Sequence, residues 1–133
     1  MRLLLDTHVF LWTILELKRL PNSVIKAIQD PGNEVFVSAV SFWEISIKSR
    51  LGKIDLIDLT TSDLIPSATA MGFLTIGLAS DEAVSQDKLK ENTHFDPFDR
   101  MLIWQAIQRD LVLVSSDPEF KKFKTDGLKL LWK

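Results

Sequence analysis

The chain has 133 residues, of which 46% are hydrophobic, and its formal net charge is −2. This length and apolar content predict one globular domain spanning residues 1–133. The charge excludes an overall basic field, so nucleic-acid binding would depend on a local patch or on metal ions. Cysteine is absent, which excludes disulfides and thiolate chemistry and suits a cytoplasmic protein. No apolar run reaches membrane-spanning length, and the acid at position 6 interrupts any signal-peptide pattern.

The chain begins with an unbroken apolar run, Leu3 to Leu5, that ends at Asp6. Such a run predicts a strand buried on both faces. Asp6 then lies at the carboxyl end of a central strand, where open parallel sheets bind their ligands. Two interpretations remain open, because Asp6 could also cap the helix that follows. That helix, residues 9–17, is so apolar that it packs either inside the chain or against a second subunit.

The rest of the chain alternates between helical and strand patterns. Gly52 and Gly72 are typical helix stops, and Pro21 and Pro97 stand where helices begin. Strands are predicted at residues 3–5, 34–37, 73–76, 111–114 and 128–131. Helices are predicted at 9–17, 22–29, 38–51, 62–71, 80–90 and 97–107, and a further helix is predicted after residue 117, between the last two strands. This order predicts an α/β fold with three layers, α/β/α, around a central parallel sheet.

Glu44 lies in the helix that follows the second strand. Glu44 follows Ser41 by three residues, which is the spacing of a capping box. The alternative is that Glu44 points back over the sheet edge as a functional acid. Lys48 is one turn further along the same helical face, where it would either meet a phosphate or pair with Glu44.

Three further acids lie near the ends of the last long helix and the fourth strand. In the segment His94-Phe95-Asp96-Pro97-Phe98-Asp99-Arg100, Pro97 fits the first helical position. Asp96 is then the N-cap and Asp99 the third helical residue. Asp117 follows the fourth strand directly. Helix capping explains each acid alone, yet all of them reach the same edge of the sheet as Asp6.

Four acids from four separate segments are therefore expected at one edge of the sheet: Asp6, Glu44, Asp99 and Asp117. Carboxylates packed together repel one another and require cations. Oxygen ligands without cysteine or paired histidine favour Mg²⁺, with Mn²⁺ possible. An all-carboxylate magnesium site implies phosphoryl chemistry, in which metal ions activate a water and stabilise the leaving oxygen.

The chain resembles the PIN-domain ribonucleases of the VapC toxin family over nearly its full length. Each matching piece is weak alone, but their order and spacing together are specific. The matching residues are Leu4-Leu5-Asp6-Thr7-His8, Leu11-Trp12, Ser41, Trp43-Glu44-Ile45, Lys48, Gly52-Lys53-Ile54, His94, Asp96-Pro97-Phe98-Asp99-Arg100, Gln105-Ala106, Ser115 and Asp117.

The resemblance implies a PIN-like fold and Mg²⁺-dependent endonucleolytic cleavage of RNA. It carries the metal-binding and catalytic roles to Asp6, Glu44, Asp99 and Asp117. It further implies a homodimer and a small antitoxin whose C-terminal tail covers the active site. Supporting roles are expected for a further set of residues, of which the basic ones would contact flanking phosphates or form surface ion pairs: Thr7, Ser41, Lys48, Asp96, Arg100 and Ser115.

Three other functions remain as alternatives. One is a PIN-fold nuclease outside toxin–antitoxin systems. A haloacid-dehalogenase phosphatase would need a second Asp two residues after the first, where this chain has His8. A catalytically silent, receiver-like binding module would not need four convergent acids.

Overall fold

A computed structural model describes all residues, 1–133. One sheet of five parallel strands forms its centre, in the order β3-β2-β1-β4-β5. The chain runs outward from β1 to β3 and then crosses to the other side of β1. This reversal of strand order lies beside β1, where open α/β sheets form a crevice for ligands. The strands are β1 (Arg2–Leu5), β2 (Glu34–Ser38), β3 (Leu74–Ile76), β4 (Val112–Val114) and β5 (Lys129–Leu131).

Helices connect the strands and cover both faces of the sheet, which confirms the predicted three-layer arrangement. The α-helices are α1 (Thr7–Leu15), α2 (Asn22–Gln29), α3 (Ala39–Arg50), α4 (Leu64–Ala70), α5 (Ser80–Ser85) and α6 (Pro97–Gln108). Single 3-10 segments span Leu17–Arg19, Thr61–Asp63, Gln86–Lys88 and Pro118–Asp126. None of the helices combines the length and the hydropathy that crossing a membrane requires.

The predicted helix over residues 80–90 is wrong in its length. α5 ends at Ser85, and a 3-10 turn follows it. The turn brings Leu89 into the core, where only 5% of this residue is exposed. Trp104 also donates its indole N–H to Ser85 Oγ at 2.9 Å, which fixes the end of α5 against α6.

The core lies on both sides of β1. Leu3 and Leu5 face one apolar cluster, which includes Val9 of α1. Leu4 faces the opposite cluster, which includes Leu102 of α6. All three leucines are fully buried, and each contributes about 1.5–3 kcal/mol of burial free energy. The apolar residues of α1 thus pack largely inside the chain, and β1 anchors the sheet edge at which Asp6 stands.

Candidate active site

Asp6 lies directly after β1, at the carboxyl edge of the sheet. Its backbone N–H donates to the carbonyl of Val114 at 3.0 Å, and its Oδ1 accepts from the N–H of Val9 at 2.8 Å. The helix-cap interpretation is therefore confirmed. Only 7% of Asp6 is exposed, and its carboxylate forms no ion pair. Burial raises its pKa to about 6, although interactions with the Ser115 hydroxyl and the Val9 N–H partly lower it.

Glu44 is held by two neighbours in the second turn of α3. The hydroxyl of Thr7 donates to Glu44 Oε1 at 2.6 Å, and the ammonium of Lys48 pairs with Oε2. Thr7 Oγ1 is also hydrogen-bonded to Ser41 Oγ at 3.0 Å. Burial lowers the pKa of Lys48, but the hydrogen bond to Glu44 and the charge of Glu44 together outweigh this effect. The pKa of Lys48 is therefore raised above its ordinary value. Of the two outcomes expected for Lys48, the structure shows the pair with Glu44.

The capping-box interpretation of Glu44 is wrong. Ser38 is the N-cap of α3, and its side chain accepts from the N–H of Val40 at 3.1 Å. The helix thus begins before Ser41, which is its third residue and not its N-cap. Glu44 therefore does not cap α3. It is only 2% exposed, and its side chain faces α1.

Asp96 and Asp99 have different local roles at the start of α6. Asp96 is the N-cap, with its Oδ1 accepting from the Asp99 N–H at 2.9 Å, as predicted. Asp99 Oδ2 lies 2.9 Å from Nε2 of His94, a partner that was not predicted. Burial raises the pKa of Asp99, and the bond to His94 counteracts part of this rise. His94 is one of the residues that match the PIN-domain family. That match was the only sequence signal for this contact.

Asp117 lies just past β4 and caps the 3-10 segment Pro118–Asp126. Its Oδ1 accepts from the N–H of Glu119 at 2.9 Å. Its own N–H donates to Ser115 Oγ at 3.1 Å. Ser115 is 4% exposed and does not line the acidic pocket. Its hydroxyl instead interacts with the side chain of Asp6 and the backbone of Asp117.

The four predicted acids line one pocket of about 400 Å³ at the carboxyl edge of the sheet. Lys48 and Asp96 line it as well, as expected of supporting residues. Sequence reasoning did not assign four other lining residues to the site, although two of them, His8 and Trp12, lie in segments that match the PIN-domain family. The missed residues are His8, Trp12, Ser116 and Phe120.

Arg100 does not line this pocket, and its proposed contact with a flanking phosphate stays a prediction. Its guanidinium donates to the carbonyls of Glu91 at 2.7 Å and His94 at 3.0 Å. It also lies over the ring of Phe123, 5.9 Å from the ring centre. Arg100 therefore holds the loop before α6, which in turn places His94 beside Asp99.

The pocket has the donor chemistry of a magnesium site but not a preformed ligand set. Five carboxylates line it, and Asp6 is a buried acid without a cation to offset its charge. Nevertheless, no group of three acidic or histidine side chains is arranged so that it could hold a metal ion. Glu44 is paired with Lys48, and Asp99 lies beside His94.

Comparison with protein families adds an independent observation to this geometry. The family model described as "PIN domain" matches residues 3–125. The chain belongs to the PIN domain family. This PIN domain is also 27% identical, over 129 residues, to "Ribonuclease VapC22" of Mycobacterium tuberculosis (strain ATCC 25618 / H37Rv). That match covers 97% of each chain.

Solved structures show that the PIN domain fold extends over the whole chain. "VapBC2 from Rickettsia felis bound to a DNA fragment from their promoter" superposes with a TM-score of 0.74 at 14% identity, covering 100% of both chains. "VapBC-1 from nontypeable Haemophilus influenzae" gives 0.69 at 15% identity, covering 98% of this chain and 97% of that one. At these identities the likeness concerns the fold.

Proposed function

We propose that this PIN domain protein is a Mg²⁺-dependent endoribonuclease and the toxin of a toxin–antitoxin pair. One observation carries the proposal: Asp6, Glu44, Asp99 and Asp117 come from four segments and line a single pocket. Family membership and the full-length similarity to a ribonuclease named VapC22 support it. Family membership also disfavours the phosphatase and receiver-like alternatives.

The proposed ligands are the four acids to which the family resemblance carries the metal-binding role. Asp6 and Asp99 would hold the principal Mg²⁺, and Glu44 and Asp117 would complete the site. Bound Mg²⁺, or Mn²⁺, would supply activation of a water and stabilisation of the leaving oxygen. Asp6 has the strongest need for such an ion, since its buried carboxylate has hydrogen-bond donors but no cationic partner.

The chain's own residues prepare the acids for this role. Thr7 holds Oε1 of Glu44 and leaves Oε2 to Lys48. Lys48 would contact a phosphate of the RNA if Glu44 served as a metal ligand instead of as its ion-pair partner. His94 holds Oδ2 of Asp99, which leaves Oδ1 of that carboxylate available.

The proposal includes two protein partners. The solved neighbours are VapBC proteins, which supports a small antitoxin as the partner of this chain. The second partner is another copy of the chain, as a homodimer. Light scattering of the purified protein, alone and with the product of a short neighbouring reading frame, measures both assemblies.

RNA cleavage tests the proposed function. The protein is incubated with total RNA in Mg²⁺, Mn²⁺, Ca²⁺ or EDTA. We expect internal cleavage with Mg²⁺ or Mn²⁺, weak cleavage with Ca²⁺ because of its looser geometry, and none in EDTA. Equal cleavage in EDTA contradicts the metal requirement, and intact RNA under every condition contradicts the nuclease assignment.

Two neighbouring carboxylates on α6 provide a matched pair of variants. Asp99→Asn keeps the size of the side chain but removes the charge, so it should fold yet lose nearly all cleavage. Asp96→Asn retains the N-cap acceptor and should keep most of the cleavage rate. An inactive Asp96→Asn beside an active Asp99→Asn would reverse the assigned roles.

A further inference from the structure

A second cleft, of about 340 Å³, lies next to the acidic pocket. It is bordered by the 3-10 segment Pro118–Asp126 and by the end of the chain after β5. Three lysines line it, Lys121, Lys124 and Lys133, together with the partly buried ring of Trp132. Asp117 is the one acidic side chain in its lining, so the side chains of this cleft carry a net positive charge in a protein whose net charge is negative.

The lysines of this cleft are not committed to ion pairs within the protein. Lys121, Lys124 and Lys133 are exposed, and none of them lies within ion-pair distance of an acid. Lys121 and Lys124 are three residues apart on a 3-10 helix, where such side chains lie on the same face. Lys122, between them, pairs instead with Glu119 outside the cleft.

The cationic cleft and the acidic pocket adjoin each other at a shared lining residue. Asp117 lines both of them. Trp12, which lines the acidic pocket, packs against Trp132 of the cleft, with their ring centres 6.0 Å apart. A chain that leaves the acidic pocket past Asp117 therefore meets the three lysines and an aromatic side chain next.

An acidic pocket creates an electrostatic problem for an RNA nuclease. Its carboxylates repel a polyanion, and the protein has no overall positive charge to offset this repulsion. Affinity must come from phosphate contacts near the site. We propose that the cleft formed by Lys121, Lys124, Lys133 and Trp132 binds the backbone of single-stranded RNA beside the acidic pocket. The lysines contact phosphates, and the aromatic ring stacks against a base.

This inference rests on the proposed function for the identity of the ligand, but its test is separate from cleavage. A fluorescein-labelled, single-stranded RNA of twelve nucleotides is titrated with protein in EDTA at several KCl concentrations. The cleft variant is Lys121→Gln with Lys124→Gln. The control is Lys122→Gln with Lys129→Gln, which removes the same charge from lysines paired with Glu119 and Asp110.

The expected result follows from counterion release. Each phosphate contact contributes about 0.7 to the slope of log affinity against log salt for single strands. The cleft variant should therefore have a slope smaller by about 1.4, and its loss of affinity relative to wild type should shrink about sevenfold between 50 and 200 mM KCl. The control should retain the wild-type slope, and circular dichroism should show all proteins equally folded. With Mg²⁺, the cleft variant should raise KM for RNA cleavage and leave kcat unchanged.

Several outcomes distinguish this inference from the proposed function. A cleft variant whose salt slope matches that of the control overturns the RNA cleft, even if the wild type cleaves RNA. Undetectable RNA binding by the wild type at 50 mM KCl also overturns it. If the cleft variant loses affinity only for a polyglutamate peptide, the cleft binds an acidic protein segment and the RNA assignment is wrong. If the slope changes as expected but no protein cleaves RNA, the cleft stands and the nuclease assignment fails.

Discussion

The charge of Asp6 should destabilise the metal-free protein, so removing it should stabilise the fold. Burial raises the pKa of this carboxyl from 3.8 to about 6. In the unfolded chain the group ionises near its ordinary value. Ionised Asp6 therefore costs free energy in the folded state at every pH above about 6. Asp6→Asn removes that cost while keeping an oxygen that accepts the N–H of Val9.

The size of the effect follows from competing contributions. A pKa raised from 3.8 to about 6 corresponds to about 3 kcal/mol in favour of the uncharged side chain. Losing a negative charge at the N-terminus of α1 costs about 0.3–1 kcal/mol, and Asn caps a helix about as well as Asp. The burial contribution is larger, which leaves a net gain of about 2 kcal/mol. For a chain of this length, that gain corresponds to roughly 7 °C in Tm.

Thermal unfolding in EDTA measures this effect between pH 8 and pH 4. Stability contributed by the protonated carboxyl is present below pH 3.8 and is lost as the pH rises through about 6. The variant should therefore melt higher than wild type at pH 8, and the difference should shrink below pH 6. Asp30→Asn is the control, because Asp30 is an exposed acid that also accepts one backbone N–H. A lower Tm for Asp6→Asn at pH 8, or a difference independent of pH, would refute the reasoning.

Three further predictions concern single contacts. Asp96→Ala should lower the free energy of unfolding by roughly 1 kcal/mol, whereas Asp96→Asn should not; urea denaturation measures both. Thr7→Val should cost roughly 1–3 kcal/mol of stability and reduce RNA cleavage, because it leaves the buried Oε1 of Glu44 without a hydrogen-bond donor, and Thr7→Ser should retain both properties. The hydrogen bond from Arg109 lowers the pKa of Glu82 to about 2, so the stability from this pair is present above pH 4.5 and lost as the pH falls toward 2. As the pH falls from 4.5 toward 2, the Tm of Glu82→Gln should therefore fall less than the Tm of the wild type. Parallel curves of Tm against pH for the two proteins would contradict this prediction.

Much of the fold was predictable because its signals are local. The run Leu3–Leu5 ends at a carboxylate, and burial on both faces followed from the absence of any polar residue within it. Asp96-Pro97 marked the start of α6 because a capping oxygen and a fixed proline φ act within one turn. The four acids could be assigned to one edge because the carboxyl ends of parallel strands meet there.

Tertiary structure alone decided which partner each polar side chain takes. Glu44 had the spacing of a capping box, yet it contacts Thr7, which is 37 residues away in the chain. Arg100 lies next to a predicted ligand but turns to backbone carbonyls of the preceding loop. The distinction is physical: helix caps and apolar runs act over a few residues, whereas the partner of a buried charge depends on which distant groups the folded chain brings within about 3 Å.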